Sequence, residues 1–408
     1  MTEPGEGWGF RRALIETLRA EGHVRSARVA AALAAVPREV FLPGLPLEAV
    51  YRPSEAIVTK RQDGLTLSSA SAPDVVALML EQLDVRPGDR VLEIGAGTGY
   101  NAALLAHLVG ESGHVVTLDI DEDLVRGAQE HLSTAGFDRV EVVQADGAIG
   151  PRDDRLYDRI ILTVSSSDIA PAWRDQLAPD HGRLVLPLGL RGQQRCVAFK
   201  SAADHLVSDS VRACCFIPLR GLLASTSSYI HLGPGGARVV AEPDESLGLP
   251  EEAMAMLLDA PTRTWPSGVS ASLKELRQAL HLWLVTHLGG MCSVWGGGHI
   301  PDLFGPQAGT DVHGTLCLVD AGRPTLAMLG WADAPTHGGE LVIQAPDHAD
   351  ELVERVRAAL QQWHAAGRPT DADLQIRAYA RGTSAAPERD EVVVERRWSR
   401  FILTWNRG

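Results

Sequence analysis

The sequence predicts an α/β fold, a doubly wound and mostly parallel sheet followed by a C-terminal α+β domain. Three observations predict it. From residue 90 onward, short apolar runs of strand length alternate with helical stretches of 10–15 residues, the rhythm of a parallel sheet wrapped by helices. The first of these runs ends in a glycine-rich turn that opens a helix. After residue 221 the rhythm stops, and a small, polar, Gly/Pro-containing stretch over 222–245 separates it from a remainder of different pattern.

The elements follow in order. Residues 8–36 read as two short helices, with Leu14, Ile15 and Leu18, then Val29, Ala32, Leu33 and Val36, at helical spacing. Pro37, Pro43, Pro46 and Pro53 then impose an extended, turning segment. PDVVALMLEQL at 73–83 is a helix with Pro at its first position. RVLEIG, HVVTLD, VEVVQAD, YDRIILTV and GRLVLPLG read as buried strands, with helices over NAALLAHLV and DEDLVRGAQEHLSTAG. RCVAFK and VRACCFIPL lack helices between them and are expected to be antiparallel. Beyond the break, SLKELRQALHLWLVTHL is an amphipathic helix with Ser272 and Glu275 as a capping box. A hairpin turns at 321–324, a second helix covers 348–364, and LQIRAYA, EVVVER and RFILTW are strands. The predicted domains are 1–221 and 222–408.

Composition bounds the function. The net charge of −14 argues against a nucleic-acid or anionic-membrane partner. No apolar run reaches the roughly 18 residues of a spanning helix. The five cysteines, Cys196, Cys214, Cys215, Cys292 and Cys317, contain no CxxC pair, so reduced thiols in a cytoplasmic protein are expected. The histidines of the second half have no paired ligand spacing, and no metal is expected.

The chemistry sits in VLEIGAGTGYN at 91–101. Glycines let the chain turn tightly and let a ligand lie against the backbone. Dinucleotide sites space them G-x-G-x-x-G around a pyrophosphate. Here the spacing is G-x-G-x-G, with Glu93 two positions before Gly95. That suits a ligand with no phosphate and a cationic amino-acid end. Asp119 closes the next strand, where a carboxylate accepts both ribose hydroxyls of an adenosine. Asp146 and Gly147 follow the strand after that, where a carboxylate meets the adenine amine.

These residues resemble the class I S-adenosylmethionine-dependent methyltransferases, and the resemblance implies their Rossmann-like sheet. Together with AAVPREVFLP at 34–43, Tyr51, TLSSASAP at 66–73, YDRIILTV at 157–164, APAWRDQLAPDHGRLVLPLG at 170–189 and FIPLRG at 216–221, they resemble the protein-L-isoaspartate O-methyltransferases over residues 10–221. The resemblance implies a cofactor bed of Glu93, Gly95, Ala96, Gly97, Thr98, Gly99, Tyr100, Asn101, Asp119, Ile120, Asp146, Gly147 and Thr163. It puts a serine two residues before Pro73 at the methyl acceptor. This sequence supplies Ser68, Ser69 and Ser71, with Thr66 just before them, and which of them meets the acceptor stays open. Ser before Pro-Asp is also good helix-capping chemistry. Ser165, Ser166, Ser167 and Asp168 stand where the family is usually Ala-rich, so they are expected beside the substrate.

With a long extension of 187 residues after 221 and the wording GAGTGYNAALLAHLVG at 95–110, the chain resembles the methyltransferases that serve ribosomally made, post-translationally modified peptides, the lanthipeptides and graspetides. That implies esterification of an ordinary Asp in a macrocyclic precursor peptide, the ester then closing to a succinimide (aspartimide). The alternative is a protein-L-isoaspartate repair methyltransferase with an accessory domain. A non-enzymatic alternative is a precursor-binding scaffold with a vestigial cofactor pocket. S-adenosyl-L-methionine is the implied cofactor, S-adenosyl-L-homocysteine its product, and a monomer or weak dimer the expected state. Residues 222–408 are expected to form one wall of a substrate cleft. Trp173, Trp265, Trp283, Trp295 and Trp331 are candidate groove residues, and 289–305 is expected to be loop.

Overall fold

The computed structural model describes residues 7–63, 65–151, 155–224, 229–232, 237–240, 249–296, 300–304, 313–333, 338–388 and 391–406, with backbone alone at 229–232, 237–240 and 313. Most of the expected 222–245 linker lies outside the described residues. Helices Trp8–Ala20 and Ala27–Ala35 open the chain, the second capped by the Ser26 hydroxyl, which accepts from the Val29 amide. Strands β1 (Ile57–Gln62) and β2 (Leu65–Ala70) form a separate two-stranded hairpin just after the prolines that were expected to give an extended, turning segment. Helix Pro73–Leu83 starts at Pro73 and ends at Asp84 in the left-handed conformation.

The main sheet begins with β3 (Arg90–Ile94), β4 (His114–Asp119), β5 (Glu141–Gln144) and β6 (Arg159–Leu162), followed by β7 (Arg183–Leu190), β8 (Gln193–Ser201) and β9 (His205–Ala213). Strands β7-β6-β3-β4-β5 are parallel neighbours in that order, and β8 and β9 add antiparallel. Every residue of β6 is buried and so are four of the five in β3, which is why these strands are continuous apolar runs rather than alternating ones. Chain order reverses at β3, which has β4 on one side and β6 on the other. In a doubly wound sheet the ligand crevice lies outside the carboxyl ends of the strands at such a point.

The second half builds another sheet from β10 (Tyr229–Leu232), β11 (Ala237–Val240), β12 (Arg263–Ser272), β13 (Met291–Gly296), β14 (His313–Asp320), β15 (Thr325–Trp331) and β16 (Gly338–Ala345), in the order β10-β11-β13-β14-β15-β16-β12. The β14–β15 hairpin pairs Asp320 with Thr325, and the Ser272–Glu275 capping box is formed. The helix beginning there runs to His287 through a π-helical turn at Leu276–Leu280. Helix Asp350–Ala365 buries Leu352, Val356, Leu360 and Trp363 along one face.

Strands β17 (Leu374–Ala380), β18 (Val392–Glu395) and β19 (Ser399–Trp405) return to the first sheet, where β17 pairs with β9 and completes ten strands among the described residues. Buried polar ties cross the same seam. Arg195 Nε donates to Asp371 at 2.9 Å, and Arg174 donates to the carbonyls of Ala378 and Tyr379. One hydrophobic cluster runs from Leu92 and Ile94 through Trp283, Ile343 and Leu360 to Phe401.

The tryptophans mostly serve this packing. Trp173 and Trp283 are buried, their indoles donating to the carbonyls of Gly147 (2.7 Å) and Ala359 (3.1 Å), and Trp331 donates to that of Leu303. Residues 291–296, expected to be loop, are strand β13, and its Trp295 stacks on Phe304. Trp265 is partly buried against the same large cluster.

Candidate functional site

A cavity opens at the carboxyl end of β3, where the topology calls for one. Its lining includes Arg38, Ser68, Ser69, Ser71, Glu93, Gly95, Ala96, Gly97, Thr98, Tyr100, Asn101, Asp119, Ile120, Gly147, Thr163 and Val164, closed by Ile217, Pro218, Leu219 and Arg220. Residues from seven separate stretches of sequence thus meet around one cavity.

The glycine turn forms the bed. Gly95 has φ +102°, and a Cβ there would stand 2.7 Å from Thr163 Oγ1, so only glycine fits. Thr163 fixes the turn by donating to the Gly95 carbonyl at 2.7 Å. The Gly97 amide donates to Asp119 Oδ2 at 3.0 Å, which ties the turn to the end of β4. Gly99, at φ +89°, faces Ala128 and Leu132 of the neighbouring helix instead of the cavity. It starts helix Tyr100–Val109 and lets it pack closely.

Two carboxylates give the cavity its chemistry. Glu93 is fully buried; its two oxygens accept from Asn101 Nδ2 (2.7 Å) and Thr117 Oγ1 (2.6 Å). Burial pushes its pKa up to about 7, against the pull of those two hydrogen bonds. Asp119 is also raised by burial, although the amides of Gly97 and Asp121 donate to it. Each of these carboxylate oxygens accepts one hydrogen bond and has room for another, as an ammonium group or ribose hydroxyls would give, and Leu118, Ile120, Leu124 and Leu219 supply apolar wall for a base. These residues fit S-adenosylmethionine.

Ser68 is buried beside the turn and its Oγ accepts from Thr59 Oγ1 at 2.9 Å. Ser69 and Ser71 also line the cavity, whereas Thr66, paired with Arg61 in the hairpin, does not. Asp146 stands behind the wall. Its oxygens accept from the amides of Ala148 (2.9 Å) and Leu222 (2.8 Å), so it holds the 221–222 turn while Ala145 and Gly147 reach the cavity.

The loop expected to present substrate is placed differently. Ser165, Ser166 and Asp168 are buried and bonded into the fold. Ser165 bridges Pro218, Ser166 bridges Leu188, and Asp168 accepts from the amides of Ile169 and Trp398, both at 2.7 Å. Ser167 offers its carbonyl to Arg396 Nε at 3.1 Å. None of the four lines the cavity. Polar groups packed between two elements must find partners there, and these have done so.

Sequence reading missed the cations around the site. Lys60 of β1 donates to Asp121 (2.8 Å) and Asp123 (2.7 Å), and Arg220 grips Asp121 with both terminal nitrogens (3.0 and 2.7 Å). With the Arg220 guanidinium as the largest influence, Asp121 falls to about 2. This triad fastens the hairpin and the 216–221 segment to the β4 end. Only FIPLRG, quoted for its resemblance, pointed that way.

The sequence pattern of the family "Protein-L-isoaspartate(D-aspartate) O-methyltransferase (PCMT)" matches residues 10–224. The protein-L-isoaspartate O-methyltransferase of Hyperthermus butylicus is 39% identical over 220 residues, which span 52% of this chain and 88% of that protein. The enzyme of the same name from Methanopyrus kandleri is 38% identical over 217 residues, 52% of this chain and 93% of its own. A solved structure named protein-L-isoaspartate O-methyltransferase superposes with a TM-score of 0.50 at 23% identity, covering 90% of this chain and 96% of that one, a likeness of fold.

Proposed function

The chain belongs to the protein-L-isoaspartate(D-aspartate) O-methyltransferase family, and from that premise we propose that it esterifies the free carboxylate of isoaspartyl residues in polypeptides, with residues 222–408 as an accessory region. It is an S-adenosylmethionine-dependent protein carboxyl O-methyltransferase. The observation that carries the reading is the meeting of the glycine turn, Glu93 and Asp119 with the Ser68–Ser71 wall in one cavity.

When bound, S-adenosylmethionine supplies a methyl group on a sulfonium. A carboxylate acceptor has a pKa of about 4 and is already ionised at neutral pH, so the chain needs no general base. Its work is alignment and exclusion of water. Glu93 would hold the amino-acid end and Asp119 the ribose, beside the 95–101 turn. Ser68 accepts from Thr59 and keeps its own proton to donate to an acceptor oxygen. The β1–β2 hairpin, fastened through Lys60, shields the site from water. The product ester has methanol as its leaving group, so the following backbone nitrogen can close a succinimide.

A modified macrocyclic precursor as substrate rests on the length of chain beyond residue 221 together with the GAGTGYNAALLAHLVG wording. A fold covering 90% of this chain occurs in a protein bearing the isoaspartyl name, so that length does not by itself call for a special peptide. The division at residue 221 is a proposal about recognition, since β17–β19 belong to the first sheet. Among the described residues no helix is long and apolar enough to cross a membrane.

The test offers the full chain three peptides, one with isoaspartate, its Asp isomer, and a side-chain-linked macrocycle with ordinary Asp. Mass spectrometry reads methyl transfer. Methylation of the first alone supports the proposal. Methylation of the macrocycle alone replaces it with the precursor reading. Absence of both methylation and S-adenosylhomocysteine binding leaves the scaffold.

A further inference from the structure

Arg38 lies between the second helix and the hairpin and forms part of the cavity wall, yet it is only 1% exposed. Its Nε and Nη2 donate to the carbonyls of Val50 (3.0 Å) and Ser71 (2.9 Å). Its guanidinium lies 4.8 Å over the Tyr100 ring. Among the described residues no carboxylate pairs with it. Neighbouring Glu39 is taken by Arg11 and by the Tyr51 hydroxyl. The contrast with the other most deeply buried arginines is plain, since Arg195 has Asp371 at 2.9 Å and Arg159 has Asp89 at 3.4 Å.

A buried cation without a counter-charge is costly, and two neutral carbonyls and a ring offset only part of that cost. Burial accordingly lowers the Arg38 pKa. The other cavity arginine, Arg220, is already neutralised by Asp121. The charge missing from this cavity is therefore an anion on the Arg38 side, and the planar guanidinium fork suits a carboxylate. We infer that Arg38 is the carboxylate-binding residue of the cavity, its Nη1 edge receiving a carboxylate of the bound ligand. The inference rests on the S-adenosylmethionine reading. That reading offers two carboxylates, the amino-acid end of the cofactor and the acceptor side chain of the polypeptide.

Calorimetry on the full chain separates them, using S-adenosylhomocysteine and its decarboxylated form. If the carboxylate is the cofactor's, the wild type prefers S-adenosylhomocysteine by about tenfold, the scale of one charge-assisted hydrogen bond. Arg38→Met and Arg38→Lys then erase the preference while binding the decarboxylated compound as before. If it is the acceptor's, wild type and variants show no such preference between the two compounds, and KM for an isoaspartyl peptide rises about tenfold in the variants with kcat nearly unchanged. Variants matching the wild type in every affinity and in KM overturn the inference. So do variants that weaken both compounds alike, because that marks a purely structural role. Should neither variant fold, the wild type decides. No preference for the carboxylated compound, together with equal competition by isoaspartyl and isoasparaginyl peptides, overturns the inference, and a preference in either pair supports it. Failure of the wild type to bind either adenosine compound refutes the cavity reading instead.

Discussion

Replacing Glu93 by glutamine removes one charge from the most buried polar position of the cavity while keeping its shape. The carboxyl pKa is about 7 in the fold against an ordinary value of 4.5, with burial as the main cause. The folded state therefore holds a proton that the unfolded chain releases, and stability falls as pH rises from about 4.5 to about 7. A shift of some 2.5 units corresponds to about 3 kcal/mol, fully developed above pH 7. Glutamine imitates the protonated form, and the Thr117 hydroxyl can rotate to accept from its amide. Glu93→Gln should thus be more stable than the wild type by up to about 3 kcal/mol at pH 8 and nearly equal to it at pH 4.5, measured by urea unfolding. Cofactor binding should move the other way. An ammonium group needs the ionised carboxylate, so wild-type affinity for S-adenosylhomocysteine should drop about tenfold per unit below pH 7. The variant should bind more weakly and show no such slope. Calorimetry in two buffers of different ionisation enthalpy should detect proton release on binding to the wild type below pH 7. A flat wild-type affinity between pH 5.5 and 7.5, or a variant less stable than the wild type at pH 8, would refute this reasoning.

Asp119→Ala should weaken S-adenosylhomocysteine binding by about 1–3 kcal/mol, since two ribose hydroxyls and the Gly97 amide lose their acceptor; unchanged affinity in calorimetry would remove Asp119 from the site. Gly95→Ala places a Cβ 2.7 Å from Thr163 Oγ1 at φ +102°, and should lower thermal stability by about 1–3 kcal/mol and abolish cofactor binding. A stable, binding variant would show that the turn is not the bed. Deleting residues 222–408 bares the β9 edge and strips Arg195 of Asp371. The fragment should aggregate or lose cooperative unfolding in circular dichroism, and a soluble, cooperatively folding fragment would show that the seam is dispensable.

What could be read from sequence was local. The helix at 73–83 and strand HVVTLD have the predicted bounds, because their periodicity, their Pro start and their acidic strand end are properties of neighbouring residues. The glycine turn was legible for the same reason: three positive-φ positions need three glycines. Partners distant in sequence were not legible. The return of β17 to pair with β9 depends on an edge 160 or more residues away, and nothing in LQIRAYA names it. Strand β12 was hidden by Pro266 and Gly268, and the pairing register does shift there, between Pro266 and Ser270. Arg38 lay inside AAVPREVFLP, quoted only for its resemblance, and nothing in that motif says that the side chain is buried without a carboxylate, which only the packed structure reveals.

The serine-rich loop after β6 carries the same lesson into function. Ser165–Asp168 were expected beside the substrate because they stand where the resembled family is usually Ala-rich. Here they are a joint. Thr163 and Val164 touch the cavity, and the next residues are clasped from behind by the β18–β19 turn. Trp398 donates to Asp168, Arg396 to the Ser167 carbonyl and Ser399 to the Ile169 carbonyl. Through the Ser165–Pro218 bridge the same loop positions Ile217 and Leu219 on the opposite wall. The C-terminal residues therefore act on the site through a short chain of hydrogen bonds, whatever they also recognise. Loss of activity on truncation would follow from either role. A point change at the clasp that leaves the β17–β9 seam intact tests the bracing by itself, because a lost brace reduces cofactor affinity, whereas a lost peptide contact raises only the KM for peptide.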